Sequence, residues 1–232
     1  MIDLIRQKIK RRIRARERQR NLYKKTDKAG HGKAAKRHAR AIRKLRKILA
    51  KKTDATNAGL STAGTKFISE FEGYFGKPYN DPAGFATVGF GHLLGYRPVN
   101  HLDERAIWVP GQRQPGRLTV DEARELLHRD ITKDYAPAVR ALFTDGPLAG
   151  QFEQPFFDAL VSFAFNLGTG SVRPGTVGFE TVGKAIERGD RQAIADALLL
   201  YDKAGGQALP GLTRRRRAER RLILEGNYST EF

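Results

Sequence analysis

The chain has no cysteine, and only one methionine and one tryptophan among its 232 residues. Disulfides, thiol nucleophiles and thiolate metal sites are therefore excluded. The composition fits a protein made in a reducing compartment. No run of 18 or more apolar residues occurs, so no segment is expected to cross a bilayer as a helix. The N-terminal stretch MIDLIRQKIKRRIRAR is charged and lacks the uninterrupted apolar core of a secretory signal peptide. Hydrophobic residues still make up 40% of the chain, enough for a substantial core and for one full domain plus a smaller module.

Acidic residues are scarce in one place only. Residues 1–58 hold 22 Lys and Arg against 4 Asp and Glu, whereas residues 59–232 hold 21 of each. The whole net charge of +18 thus lies in the first quarter, and so sharp a break marks a domain boundary. Within that quarter Ile2, Ile5, Ile9 and Ile13 form one apolar stripe at helical spacing, and Ala35, Ala39, Ile42, Leu45 and Leu49 form another. Asp27–Lys33, with Gly30-His31-Gly32, reads as the break between them. The expectation is an antiparallel two-helix hairpin over 1–52 that sets Ile2–Ile13 against Ile42–Leu49. The small polar stretch 53–59 is expected as a linker.

A hairpin so basic suits attachment to a polyanion. The candidates are teichoic acid, lipopolysaccharide or anionic phospholipid at a membrane surface, and nucleic acid. Its single aromatic, Tyr23, does not advertise base stacking, so nucleic acid is the weakest of these. A solvated hairpin that only spaces or oligomerises the protein is the bland alternative.

The most informative run is FEGYFGKPYNDPAGFATVGFGH. Glu72 is followed nine residues later by Asp81 and six residues after that by Thr87, with Gly89-Phe90-Gly91-His92 behind. Two carboxylates and a hydroxyl that can position water are what hydrolysis of a glycosidic bond requires. Phe67, Ile68 and Phe71 predict an amphipathic helix over Thr65–Phe75, with Glu72 near its C-terminal end. The alternation over Tyr79–His92 predicts a small antiparallel sheet bearing Asp81 and Thr87. A cleft between that sheet and a helical body would take a polysaccharide strand.

From Leu60 to Gly226 the chain resembles the phage-type lysozymes, glycoside hydrolase family 24. The blocks that carry the resemblance are LSTAGTKFISEFEG, YNDPAGFATVGFGH, LTVDEARELLHRDI, FDALVSFAFNLGTG and KAGGQALPGLTRRRRAER. The resemblance implies an α+β, lysozyme-like domain over 60–232, with a small sheet lobe and a mainly helical lobe. It also implies a peptidoglycan hydrolase that cleaves the β-1,4 bond between N-acetylmuramic acid and N-acetylglucosamine, with no cofactor and no metal. Glu72 would be the general acid, which calls for a partly desolvated carboxyl. Asp81 would activate the water and stabilise the developing positive charge, and Thr87 would hold the water. No carboxylate stands at position 87 to serve as nucleophile. Inversion is therefore expected, with the carboxyls roughly 6.5–9.5 Å apart.

The resemblance implies further roles. His92 would pair with Asp130. An arginine from Arg214–Arg217 would reach Glu72, with Arg216 the best match and Arg215 the second. Gly91, Leu93, Phe165, Asn166 and Thr176 would line the substrate cleft. Thr119 and Glu122 read as a capping box, and Phe157–Gly168 is apolar enough to be the central buried helix. The chain departs from the family pattern at Tyr201, where a tryptophan is usual, and over Tyr96–Arg117, a long connection holding Trp108. That indole would either stack on a sugar or pin the loop.

The expected setting is phage-driven lysis. The protein would stay in the host cytoplasm until a holin-type partner admits it to the periplasm or wall. A virion-associated lysozyme, a lytic transglycosylase, and a polyanion- or nucleic-acid-binding protein on a silent lysozyme-like scaffold stand as alternatives.

Overall fold

The computed structural model describes residues 2–26, 29–102 and 117–231. Two compact units emerge: Met1–Ala58 together with Phe143–Phe152, and Gly59–Leu142 together with Glu153–Phe232.

The first unit is a helical hairpin. Helix α1 spans Ile2–Thr26 and α2 spans Ala29–Asn57. Ile5, Ile9 and Ile42 are buried between them, with Ile13, Leu45 and Leu49 packed alongside. These are the two stripes read from the sequence, and their burial fixes the antiparallel pairing. Arg12 on α1 and His38 on α2 approach to 3.4 Å at the rim.

Two boundaries differ from expectation. Gly30, His31 and Gly32 lie inside α2 rather than in a break, and positions 27 and 28 fall outside the described residues. The stretch expected as a linker continues α2 as far as Asn57. The reason for the second is packing: Ala55 is fully buried, and Thr53 Oγ1 donates to the Leu49 carbonyl one turn back. Phe143 and Phe152, in the inserted part of this unit, meet edge to face at 5.8 Å.

The second unit begins with α3 (Thr62–Ser69), which is capped by Ser61. Strands β1 (Phe75–Asn80), β2 (Ala86–Gly89) and β3 (His92–Gly95) follow and form one antiparallel sheet in that order. Thr87 lies opposite Tyr79 on one side and Leu93 on the other. Gly89 has φ +68°, and a Cβ there would sit 3.3 Å from the Ala123 side chain. Glycine therefore serves both the turn and the close approach of β2 to α4 (Val120–Asp134). The capping box between Thr119 and Glu122 opens α4 as the sequence predicts.

After α5 (Ala136–Thr144) comes α6 (Gln154–Leu167), the axis of the helical lobe. Phe156, Phe157, Leu160 and Phe163 on α6 are fully buried. It packs against α3 and against α9 (Pro210–Glu225), with α7 (Glu180–Arg188) and α8 (Arg191–Leu198) beside them. A two-stranded ribbon, β4 (Lys203–Ala204) and β5 (Gln207–Ala208), precedes α9. The α+β reading and the central apolar helix both hold. Trp108, and the part of the Tyr96–Arg117 connection around it, lies outside the described residues.

Candidate active site

Glu72 does not ride on a helix. Helix α3 ends at Ser69, and the N–H groups of Phe71 and Glu72 donate to the carbonyls of Ile68 and Ser69 at 3.0 and 3.3 Å. This tight turn swings the chain out so that Phe75 can pair with Gly89 in the sheet. The helix expected over Thr65–Phe75 is thus shorter at its C-terminal end and begins earlier, where the Ser61 hydroxyl accepts from the Gly64 N–H. Glu72 sits at the joint between helix and sheet, half-buried. Its Oε1 accepts from Arg215 Nη1 at 2.6 Å.

Arg214, Arg215, Arg216 and Arg217 follow one another on α9, so each is turned about 100° from the last. Arg214 and Arg217 are exposed, and the two between them are buried. Arg215, not Arg216, reaches Glu72, which corrects the order expected from sequence. The phase of α9 points Arg216 into the core instead. There its Nη2 donates to Asn166 Oδ1 at 2.9 Å, and its guanidinium lies 4.8 Å over the Phe163 ring. Burial holds Arg216 below the ordinary guanidinium value.

Between the two arginines lies Glu219, itself fully buried. Its Oε1 accepts from Arg215 Nε at 3.2 Å and from Ser162 Oγ at 2.6 Å, and its Oε2 is 3.0 Å from Arg216 Nε. Arg215 also donates to the Ser162 carbonyl at 3.2 Å. Sequence reading did not single out Glu219 or Ser162. The signal for Glu219 was present, since it stands four residues after Arg215 and three after Arg216, the spacings at which helix neighbours meet.

Asp81 opens the turn between β1 and β2. Its Oδ1 accepts from the N–H groups of Ala83 and Phe85 at 2.9 and 2.8 Å. Among the described residues none donates to Oδ2. Thr87 is 3% exposed, and its hydroxyl donates to the Phe85 carbonyl at 3.2 Å. With the proton so placed, the lone pairs of Oγ1 can accept a hydrogen from water. Burial and the neighbouring Asp81 carboxylate push the Tyr79 phenol upward. His92 Nδ1, at the start of β3, is 2.7 Å from Asp130 Oδ2 on α4. Among the described residues no cluster of three or more His, Asp or Glu could hold a metal ion.

Comparison with known proteins gives the family of the chain. The phage lysozyme family model matches residues 69–219, about two thirds of the chain, a span that includes Glu72, Asp81, Thr87, Arg215, Arg216 and Glu219. The chain belongs to the phage lysozyme family. It is 30% identical over 165 residues to the endolysin of Salmonella phage P22, covering 97% of that protein and 71% of this one. It is 31% identical over 169 residues to the endolysin of Bacillus phage B103, covering 72% of this chain but only 54% of that relative's length. An endolysin from Escherichia coli O157:H7 phage FAHEc1 superimposes with a TM-score of 0.53 at 26% identity, over 74% of this chain and 97% of that one.

In this phage lysozyme fold the remaining expected residues fall in three places. Leu93 stands beside Thr87 in the sheet and is 38% exposed, and Gly91 forms the β2–β3 turn with φ +93°. Phe165 and Asn166 end α6 beside the arginines: Phe165 lies 6.0 Å under Arg215 and meets Tyr135 edge to face at 5.2 Å. Thr176 sits apart in a turn after α6, its N–H on the Arg173 carbonyl at 3.3 Å. Tyr201 packs rather than projecting, stacked on Phe179 at 5.1 Å and against Phe163 at 5.4 Å.

Proposed function

We propose that the chain is an endolysin-type peptidoglycan hydrolase. In this reading it cleaves the β-1,4 bond between N-acetylmuramic acid and N-acetylglucosamine with inversion. Glu72 protonates the leaving glycosidic oxygen. Asp81 accepts a proton from the attacking water and faces the positive charge that develops on the sugar. Thr87 holds that water. The observation that carries the reading is the site itself within a phage lysozyme fold. Glu72 is fixed by a buried guanidinium at 2.6 Å, Asp81 is oriented by two backbone N–H groups on one of its oxygens, and Thr87 gives its hydroxyl proton to the Phe85 carbonyl. Placing an acid, a base and a water in register converts an encounter into a positioned reaction. Gly91, Leu93, Phe165, Asn166 and Thr176 belong to this reading as substrate contacts, and the His92–Asp130 pair as support for the sheet.

The basic hairpin completes it. With 22 Lys and Arg against 4 Asp and Glu in residues 1–58, it would concentrate the enzyme on an anionic envelope polymer or membrane surface. A holin-type partner would release the protein from the host interior to the wall.

The test is release of reducing ends from purified peptidoglycan, with product masses and anomeric form recorded. The wild-type protein should give hydrated ends of inverted configuration, and Glu72→Gln should lose activity by a factor on the order of 10²–10⁴ or more. Anhydro-muramic ends would show a transglycosylase. Near-normal activity of Glu72→Gln would remove Glu72 from its role.

A further inference from the structure

The arginine that fixes Glu72 has two carboxylates. Arg215 gives Nη1 to Glu72 and Nε to Glu219, at 2.6 and 3.2 Å. Its side chain is 3% exposed, that of Glu72 is 26% exposed, and that of Glu219 is wholly buried. Glu219 in turn serves Arg216, with Nε at 3.0 Å and Nη2 at 3.2 Å. Glu72, Arg215, Glu219 and Arg216 therefore form a row of alternating charge that runs from the cleft into the core and sums to zero when Glu72 is ionised.

An acid catalyst must spend part of its cycle protonated. Protonating Glu72 removes one negative charge from this row and leaves two buried guanidinium groups facing one carboxylate. Were Glu219 neutral as well, both guanidinium groups would be left without any carboxylate. A buried, uncompensated charge is strongly disfavoured, so Arg215 would then resist protonation of Glu72. Glu219 offsets that resistance. We infer that Glu219 is a positioning residue for the general acid: it is the second counter-ion of Arg215, and it lets Glu72 take up a proton without stranding the guanidinium that aims it. The inference rests on the reading of Glu72 as the acid.

Arg216 has the opposite influence, because it draws on the same carboxylate. The remaining charges around the row come from several elements. Arg214 lies on the same helix, 5.3 Å over the Phe71 ring, and donates to the Glu70 carbonyl at 3.4 Å. Glu70 pairs with Arg124 of α4 at 3.7 Å. Asp202, ahead of β4, attracts Arg216, and Asp81 comes from the sheet. Arg214, Glu70, Arg124 and Asp81 all keep contact with solvent that screens them, whereas Arg215, Arg216 and Glu219 are dry.

The geometry thus predicts two shifts of opposite sign. Glu219→Gln keeps the side-chain shape but removes the second counter-ion. Glu72 should then lose its proton more readily, and the alkaline limb of the pH–rate profile on peptidoglycan should move to lower pH by about one unit or more. Arg216→Gln leaves Glu219 to Arg215 alone, so the limb should move to higher pH. Glu219→Asp, which keeps the charge, should keep the limb near its wild-type position even where the rate falls. The carboxyl carbon of Glu72, followed by NMR titration, should move in the same directions. This second readout needs only folded protein and no turnover. Loss of rate at every pH, with neither the limb nor the Glu72 titration displaced, would reduce Glu219 to a structural residue and overturn the inference. An active Glu72→Gln protein would instead overturn the assignment of the acid, so the two failures are distinct.

Discussion

Asp81 and Thr87 grip the same residue from opposite ends of its backbone. The carboxylate of Asp81 accepts the Phe85 N–H at 2.8 Å, and the hydroxyl of Thr87 donates to the Phe85 carbonyl at 3.2 Å. The two groups assigned to the water are thereby set by one shared residue at the β1–β2 turn, and a change in either side chain bears on the placement of the other.

Asp81→Asn and Asp81→Ala should separate chemistry from folding. The asparagine oxygen can still accept from Ala83 and Phe85, so stability should change by about 0.5 kcal/mol or less, while the loss of charge should lower kcat by a factor on the order of 10² or more. Alanine also gives up both turn hydrogen bonds, which should cost about 1–2 kcal/mol. Urea denaturation beside turnover on purified peptidoglycan reads both; equal stability of the two variants would mean that the turn does not depend on Asp81.

Thr87→Val replaces the hydroxyl with a methyl in a site that is 3% exposed. Volume is kept, so the sheet should stay folded with a loss of about 1 kcal/mol for the hydrogen bond to Phe85. Turnover should fall sharply while binding of intact glycan strands changes little. A rise in KM with kcat unchanged would make Thr87 a binding residue instead.

Asp158 supplies a pH prediction. It is buried and accepts from Ser61 N and Oγ, Gln154 Nε2 and Tyr228 Oη at 3.1, 2.5, 2.9 and 2.7 Å. Burial nevertheless pushes its carboxyl above the ordinary value, outweighing those hydrogen bonds. The native state then binds this proton more tightly than the unfolded chain. Its contribution to stability is fully present below the ordinary carboxylate value of about 4 and declines as pH rises through the raised native value. The stability of wild type relative to Asp158→Asn, measured by urea denaturation, should therefore fall from pH 3 toward neutrality. A relative stability that rises with pH would show that the hydrogen bonds outweigh burial.

For the hairpin, charge should be altered rather than length. Phe143–Phe152 belongs to the same unit as residues 1–58, so deleting the first 58 residues would leave that unit incomplete. Replacing exposed Arg11, Arg14, Arg18, Arg40 and Lys47 with glutamine leaves the isoleucine seam intact. Such a variant should hydrolyse soluble fragments at the wild-type rate but bind anionic walls less well at low salt, and the difference should vanish as salt screens the attraction. Equal binding at every salt concentration would leave the hairpin as a spacer.

Much of this was legible because it is local. The isoleucine stripes, the Thr119 capping box and the apolar run of α6 each declare themselves within a few turns of chain. What escaped is set by distant contacts. The end of α3 depends on Phe75 leaving to pair with Gly89, and its start on Ser61 meeting Asp158, which is 97 residues away. Four consecutive arginines look alike in sequence, and only the phase of α9 against α6 separates the one that meets Glu72 from the one that meets Asn166. The glycines near residue 31 signal a break, yet the helix absorbs them.

The split first unit also sets an order of events during synthesis. The hairpin is free to pair once its second helix has been made, but its unit is complete only with Phe152. The segment between Ala58 and Phe143 must therefore emerge as a long intervening loop before the unit closes. At roughly 5–20 residues per second, a nascent chain would carry an exposed, strongly cationic hairpin for several seconds before its remaining partner is translated. The part of the molecule that carries its whole net charge of +18 is thus also the part that waits longest for its remaining partner.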